Sequence, residues 1–106
     1  MLTSGLLPDQ APRPHLPRSA RVTCFSIIAQ ADPSVLPRIL DMVAMFDLVP
    51  ERCHVARSDA EPGRPLLIDL QIADLAERDC HLLQKKLERM LLTTQILCSE
   101  KRLAAA

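Results

Sequence analysis

Arg21-Val22-Thr23-Cys24-Phe25-Ser26-Ile27-Ile28-Ala29-Gln30-Ala31-Asp32-Pro33-Ser34-Val35-Leu36-Pro37-Arg38-Ile39-Leu40 is the stretch whose reading decides the fold. In its first part Phe25, Ile27 and Ala29 alternate with Cys24, Ser26 and Ile28. That two-residue period is a strand, and the apolar set predicts one fully buried face. Asp32-Pro33-Ser34 then interrupts the pattern, and apolar residues return at Leu36, Ile39, Leu40 and Val43, extended by Phe46. This is the spacing of a single helix face. Either Asp32 or Ser34 can cap that helix. Pro33 suits the first helical position after an Asp32 cap, whereas Pro37 spares every ladder bond only if Ser34 is the cap. The expectation is a helix starting at Ser34, or one with a distorted first turn.

The same two periods alternate through the rest of the chain. Val49 to Arg57 reads as a second strand, with Cys53 and Val55 inward and Arg52, His54 and Ala56 on the other side. Ser58 to Pro65 carries Asp, Pro and Gly and reads as a loop. Leu66 to Ala73 is the clearest strand: Leu66, Ile68, Leu70 and Ile72 face one way, Leu67, Asp69 and Gln71 the other. Asp74-x-x-Glu77 resembles a capping box opening a second helix, whose apolar stripe is Ala76, Cys80, Leu83, Leu87, Met90 and Leu91. Its charged residues read as a solvated face. Thr93 to Cys98 is a fourth strand and the chain from Ser99 onward a fraying end, with residues 102–106 as tail.

The order strand, helix, strand, strand, helix, strand predicts an α+β, ferredoxin-like βαββαβ sandwich spanning residues 21–101. It has a four-stranded antiparallel sheet with two helices on one face. The other face then has no helix to cover it. Ser26, Ile28, Arg52, His54, Leu67, Asp69 and Gln71 fall on that face and are the candidate partner interface. Residues 1–20 hold Pro8, Pro12, Pro14 and Pro17 without apolar periodicity, and read as a disordered Pro-rich N-terminal tail.

Bulk properties narrow the function. The chain of 106 residues is 48% hydrophobic and 25% charged, enough to bury one core. Thirteen basic and thirteen acidic side chains cancel, so no long-range field draws nucleic acid or an anionic membrane. Near-zero charge leaves little repulsion against self-association, and a homodimer or larger homo-oligomer is expected. Phe25 and Phe46 are the whole aromatic complement, which argues against base-stacking platforms. The longest apolar run, Met42 to Phe46, is far too short to cross a bilayer, and no leader resembles a signal peptide. A cytoplasmic protein with free thiols follows.

Reactive chemistry finds little support. Cys24, Cys53, Cys80 and Cys98 include no C-x-x-C, which speaks against zinc knuckles and thioredoxin-type pairs and for small buried hydrophobes. His15, His54 and His81 lack a suitable neighbour. Cys53 and His54 point to opposite sheet faces, and Cys80 and His81 stand about 100° apart on a helix. Two glycines, Gly5 and Gly63, cannot build phosphate-cradling loops. No catalytic residue, metal site or cofactor is assigned, and the chain reads as a non-enzyme. What remains is the turn Gln30, Ala31, Asp32, Pro33, Ser34 and Val35. There a helix N-terminus exposes unpaired N–H groups able to hold a ligand carboxylate.

Asp32-Pro33-Ser34-Val35-Leu36-x-Arg38-Ile39-Leu40, leading into Phe46-x-Leu48-Val49-Pro50, resembles the "N/D-x-PG-V-L-x-R-I…F" opening of ACT domains. These are βαββαβ modules that bind amino acids and control metabolic enzymes, and the likeness runs from residue 21 to about 101. The short chain and the Leu67-Ile68-Asp69-Leu70-Gln71-Ile72 strand look most like the single-ACT small regulatory subunit of acetolactate synthase. That likeness implies the large subunit as partner, a valine-like amino-acid effector and a place in branched-chain amino-acid biosynthesis. A free-standing ACT amino-acid sensor regulating another enzyme is the alternative. Acylphosphatases share the topology but need an Asn and a glycine-rich phosphate loop, and this chain has neither. Where the family usually has Gly, this chain has Ser34, whose bulk and hydroxyl predict weak effector binding or none.

Overall fold

The computed structural model describes residues 21–102; the Pro-rich segment 1–20 and residues 103–106 lie outside the described residues. Six elements follow one another: β1 (Arg21–Ala29), α1 (Val35–Met45), β2 (Arg52–Arg57), β3 (Leu66–Ala73), α2 (Glu77–Glu88) and β4 (Thr93–Arg102). The strands form one antiparallel sheet in the order β2-β3-β1-β4, the ferredoxin-like βαββαβ arrangement expected.

β1 is central because its apolar alternation lets it be covered on one face and paired on both edges. Phe25, Ile27 and Ala29 are buried, as are Ile68, Leu70 and Ile72 of β3. Both helices supply the opposing layer, with Val35, Ile39 and Val43 from α1 and Leu83 and Leu87 from α2 in the same cluster. Each side chain of this size, fully buried, contributes roughly 1.5–3 kcal/mol. Both helices therefore lie on one face.

α1 starts where Pro37 requires. Ser34 is its N-cap, and the first helical bond runs from the Arg38 N–H to the Ser34 carbonyl, so Pro37 in the first turn costs none. Its far end closes without glycine: Asp47 adopts φ 61°, its N–H donates to Ala44 and that of Leu48 donates to Val43. This is a Schellman closure, which aspartate tolerates better than most residues. The buried stripe is Val35, Ile39 and Val43, and Leu40 is 38% exposed, so the helix is turned from the expected orientation.

Further expectations are corrected. The Asp74 capping box does not form. Asp74 has φ 55°, its N–H donates to the Arg21 carbonyl, and α2 begins at Glu77 after an Ala76 N-cap. The chain is diverted there by Leu75, which is buried in the core. Leu91 falls beyond the helix end and is 90% exposed. β2 begins at Arg52 because Pro50 has no N–H to donate, although the Glu51 N–H still reaches the Gln71 carbonyl. Cys53 and Val55 lie opposite Leu70 and Ile68, on the helix side, yet both are exposed. The helices do not extend over this edge strand.

The chain from Ser99 is not frayed: β4 continues to Arg102, pairing with β1 as far as Arg21. The cysteines are free but not buried, with Cys24 and Cys80 half-buried and Cys53 and Cys98 exposed. Cys53 and Cys98 sit on the two edge strands, where packing is one-sided.

Candidate functional site

The open face of the sheet is built by alternate residues of all four strands, brought into rows by the register. One row runs Arg52, Gln71, Cys24, Ser99; the next His54, Asp69, Ser26, Leu97; the third Ala56, Leu67, Ile28, Gln95. All seven residues expected on this face are on it. Leu97, 59% exposed, and Leu67, 37% exposed, flank the half-buried Ile28. A shallow cavity of about 360 Å³ lies between them, lined among others by Ser26, Ile28, His54, Ala56, Leu67 and Leu97. The polar groups are partly satisfied within the face: the Gln71 side-chain amide donates to the Asp69 carboxylate at 3.1 Å. Such a mixture of exposed aliphatic centre and polar surround has the composition of a docking surface. Ala56 stands on the outward side of β2, as its alternation with Cys53 and Val55 predicts, although it is not among the seven expected interface residues. Leu97 and Gln95 are not among them either; the alternation of β4, carried to its outward positions, points to both.

The second candidate is the turn between β1 and α1. Its neighbour across space is the β2–β3 loop, shaped by the Ala60 N–H donating to Ser58 Oγ and by the Arg64–Asp59 ion pair at 3.1 Å. Gly63 at φ 79° makes the bend. A cavity of about 560 Å³ lies between turn and loop, lined by Ile28, Gln30, Ala31, Asp32, Glu61 and Thr94 among others. Thr94 enters it through a register shift in the β1–β4 pairing after Ile28, a bulge that re-aims the strand.

Of the six residues expected to hold a ligand, Gln30, Ala31 and Asp32 line this cavity. Pro33 and Ser34 are not among its lining residues, and Val35 is buried in the core. The helix N-terminus is already occupied from within the chain. Asp32 Oδ1 accepts from the Ser34 N–H at 2.9 Å and from the Ser34 hydroxyl at 2.6 Å, while the Val35 N–H donates to the Asp32 carbonyl at 3.1 Å. These bonds, the hydroxyl's first, hold the Asp32 carboxyl below its ordinary value of 3.8, with Arg38 adding to the effect. The Ser34 hydroxyl therefore does not accept an amide hydrogen as expected; it donates to Asp32, and the Ser34 N-cap makes no side-chain cap bond to the helix. With Pro37 lacking an N–H, Leu36 keeps the one first-turn amide not engaged by Asp32. The cavity is acidic through Asp32 and Glu61, so it suits an ammonium group better than a second carboxylate.

Among the described residues, no three His, Cys, Asp or Glu side chains converge as a metal site. No helix among them is long and apolar enough to cross a membrane. The family model described as "ACT-like domain" matches residues 18–103, spanning the whole sheet and both helices. No curated protein matches the chain.

Proposed function

The chain belongs to the ACT-like domain family, and from that premise we propose that it is a non-catalytic regulatory protein that works by docking through its open sheet face. A second copy of the chain is the first partner, forming a homodimer or larger homo-oligomer. The regulated enzyme is the next. The observation that carries this reading is the third row of the face, where Ala56, Leu67 and Ile28 line up beside Leu97 of the second row. Exposed aliphatic side chains placed side by side are covered in an assembly at a gain of about 25 cal/mol per Å².

Within the family we take the enzyme to be acetolactate synthase, with this chain in the role of its small regulatory subunit in branched-chain amino-acid biosynthesis. The Leu67–Ile72 strand supports that choice. A cytoplasmic location fits it and suits four free thiols. The alternative, a free-standing amino-acid sensor, depends on the β1–α1 turn, and Asp32 disfavours it by filling the position an effector carboxylate would take.

Sedimentation velocity at about 1–10 µM tests the assembly, and a monomer throughout that range would refute it. Mixing with the thiamine-diphosphate-dependent large subunit tests the partner: a stable complex with raised activity is expected. Calorimetric titration of valine, leucine and isoleucine tests the effector. Wild type binds weakly or not at all, and Ser34→Gly tightens binding if the turn is the site. Tight wild-type binding indifferent to both Ser34→Gly and Asp32→Ala places the effector elsewhere.

A further inference from the structure

Two thiols distant in sequence meet on the helix side of the β4 edge. Cys80 Sγ, in the first turn of α2, lies 3.8 Å from Cys98 Sγ on β4. Cys98 is registered opposite Phe25, so it stands on the covered side of the sheet, away from the proposed docking face. Neither sulfur is sealed off: Cys80 is half-buried and Cys98 exposed, and both line a shallow cleft with Arg21, Glu77 and Glu100. β4 is paired on one side only, by β1, so its side chains move without displacing a further strand. Bond formation brings the two sulfurs from 3.8 Å to about 2.0 Å, a change that side-chain rotation at an edge strand supplies.

We propose that Cys80 and Cys98 form a redox-sensitive dithiol that closes to an intramolecular disulfide on reaction with a small-molecule disulfide such as oxidised glutathione, stapling α2 to β4. The Cys80 thiolate attacks one sulfur of the oxidant. A Cys80–glutathione bond forms, the oxidant's S–S bond breaks, and the departing thiolate takes up a proton. Cys98, as thiolate, then attacks the Cys80 sulfur and expels the second glutathione, which is also protonated. Two protein thiols are oxidised and one small disulfide is reduced to two thiols. Desolvation first, then the Cys80 hydrogen bond and neighbouring charges, push the Cys98 thiol up to about 11. Its thiolate is scarce at neutral pH, so the second step is slow there and quickens as pH rises. Cys53 is an internal control: its thiol is raised by burial and then by the Asp69 charge, and it has no sulfur neighbour among the described residues.

The test treats the full chain with oxidised glutathione at pH 7 and pH 9, blocks remaining thiols with an alkylating agent, and maps the peptides by mass spectrometry. The expected product is monomeric in chain linkage, two hydrogens lighter, joined Cys80 to Cys98, with Cys24 and Cys53 alkylated. It forms faster at pH 9, is reversed by dithiothreitol, and melts about 10 °C higher than the reduced protein, given the short loop closed. A Cys80→Ser variant yields no such link, and a Cys24→Ser/Cys53→Ser double variant closes as wild type does. Four alkylated thiols after treatment, lasting glutathione adducts on both Cys80 and Cys98, or a link made through Cys24, Cys53 or a second chain would each overturn the proposal.

Discussion

The two faces of the sheet come from the same strands, and neighbouring residues along each strand go to opposite faces. On one, Phe25, Ile27, Ala29, Ile68, Leu70 and Ile72 meet two helices and are buried. On the other, Ser26, Ile28, Leu67, Asp69 and Leu97 stand in register with no element of the described chain over them. The buried part of the covered face is aliphatic and aromatic apart from Thr23. The open face keeps an aliphatic centre but admits serine, aspartate, glutamine and histidine. A core cannot tolerate those groups unpaired, because each buried unsatisfied polar group costs about 1–3 kcal/mol, whereas an interface can leave them at a wet rim. The two faces thus separate the residues that close the core from those left uncovered, one residue apart.

Substitutions in adjacent residues break that comparison most sharply. Phe25→Ala empties the centre of the covered face and is expected to cost about 3–5 kcal/mol, a large part of the stability of so small a domain. Urea unfolding reads the loss, and the neighbouring Ser26→Ala should stay within about 0.5 kcal/mol of wild type. A core role for Ser26, or a mild Phe25→Ala, would invert the assignment of faces.

Leu97→Asp and Leu67→Asp act on the open face alone. They should convert the assembly to monomer in sedimentation while changing monomer unfolding by no more than about 0.5 kcal/mol. An assembly that survives both changes would move the interface to a sheet edge. A smaller effect is expected at Asp47, whose φ of 61° strains an L-residue. Asp47→Gly should stabilise the α1 closure by roughly 0.5–1 kcal/mol with no effect on assembly.

The smallest expected effect is the pH response of the β1–α1 turn. The Asp32 carboxyl is lowered in the folded state by its Ser34 bonds, so its stabilisation is present above the ordinary value of 3.8. That contribution is lost as pH falls through the lowered value. Acid unfolding of an Asp32→Asn variant should therefore be less steep below about pH 4 than that of wild type. Equal steepness in the two proteins would mean that the Ser34 bonds do not persist in solution.

Local pattern was enough where one residue type filled one face. From Phe25 to Ala29 in β1 and from Ile68 to Ile72 in β3 the buried residues follow directly from alternation, whereas Val22 and Thr23, consecutive at the start of β1, are both buried. In α1, Ile39 and Val43 were legible, but Val35 and Leu40 exchanged roles because several rotations of an amphipathic helix satisfy the same stripe. The choice among them is made by what the helix packs on. The turn at Gln30–Ser34 was legible as a strand–helix junction. Its cavity was not, since Glu61, Gly63 and Thr94 come from distant segments and carry no shared local signal.

By itself the sequence determined the element order, the antiparallel sheet and the division of each central strand into two faces. Backbone sterics impose a period of two on a strand and 3.6 on a helix, and apolar residues obey those periods wherever they are buried. Tertiary structure alone decided how far the helices reach over the sheet, leaving Cys53 and Val55 exposed on β2. It decided that Asp32 fills the helix N-terminus, and that Cys80 and Cys98 lie 3.8 Å apart. Those outcomes depend on distances between segments that the chain brings together only once its core has closed.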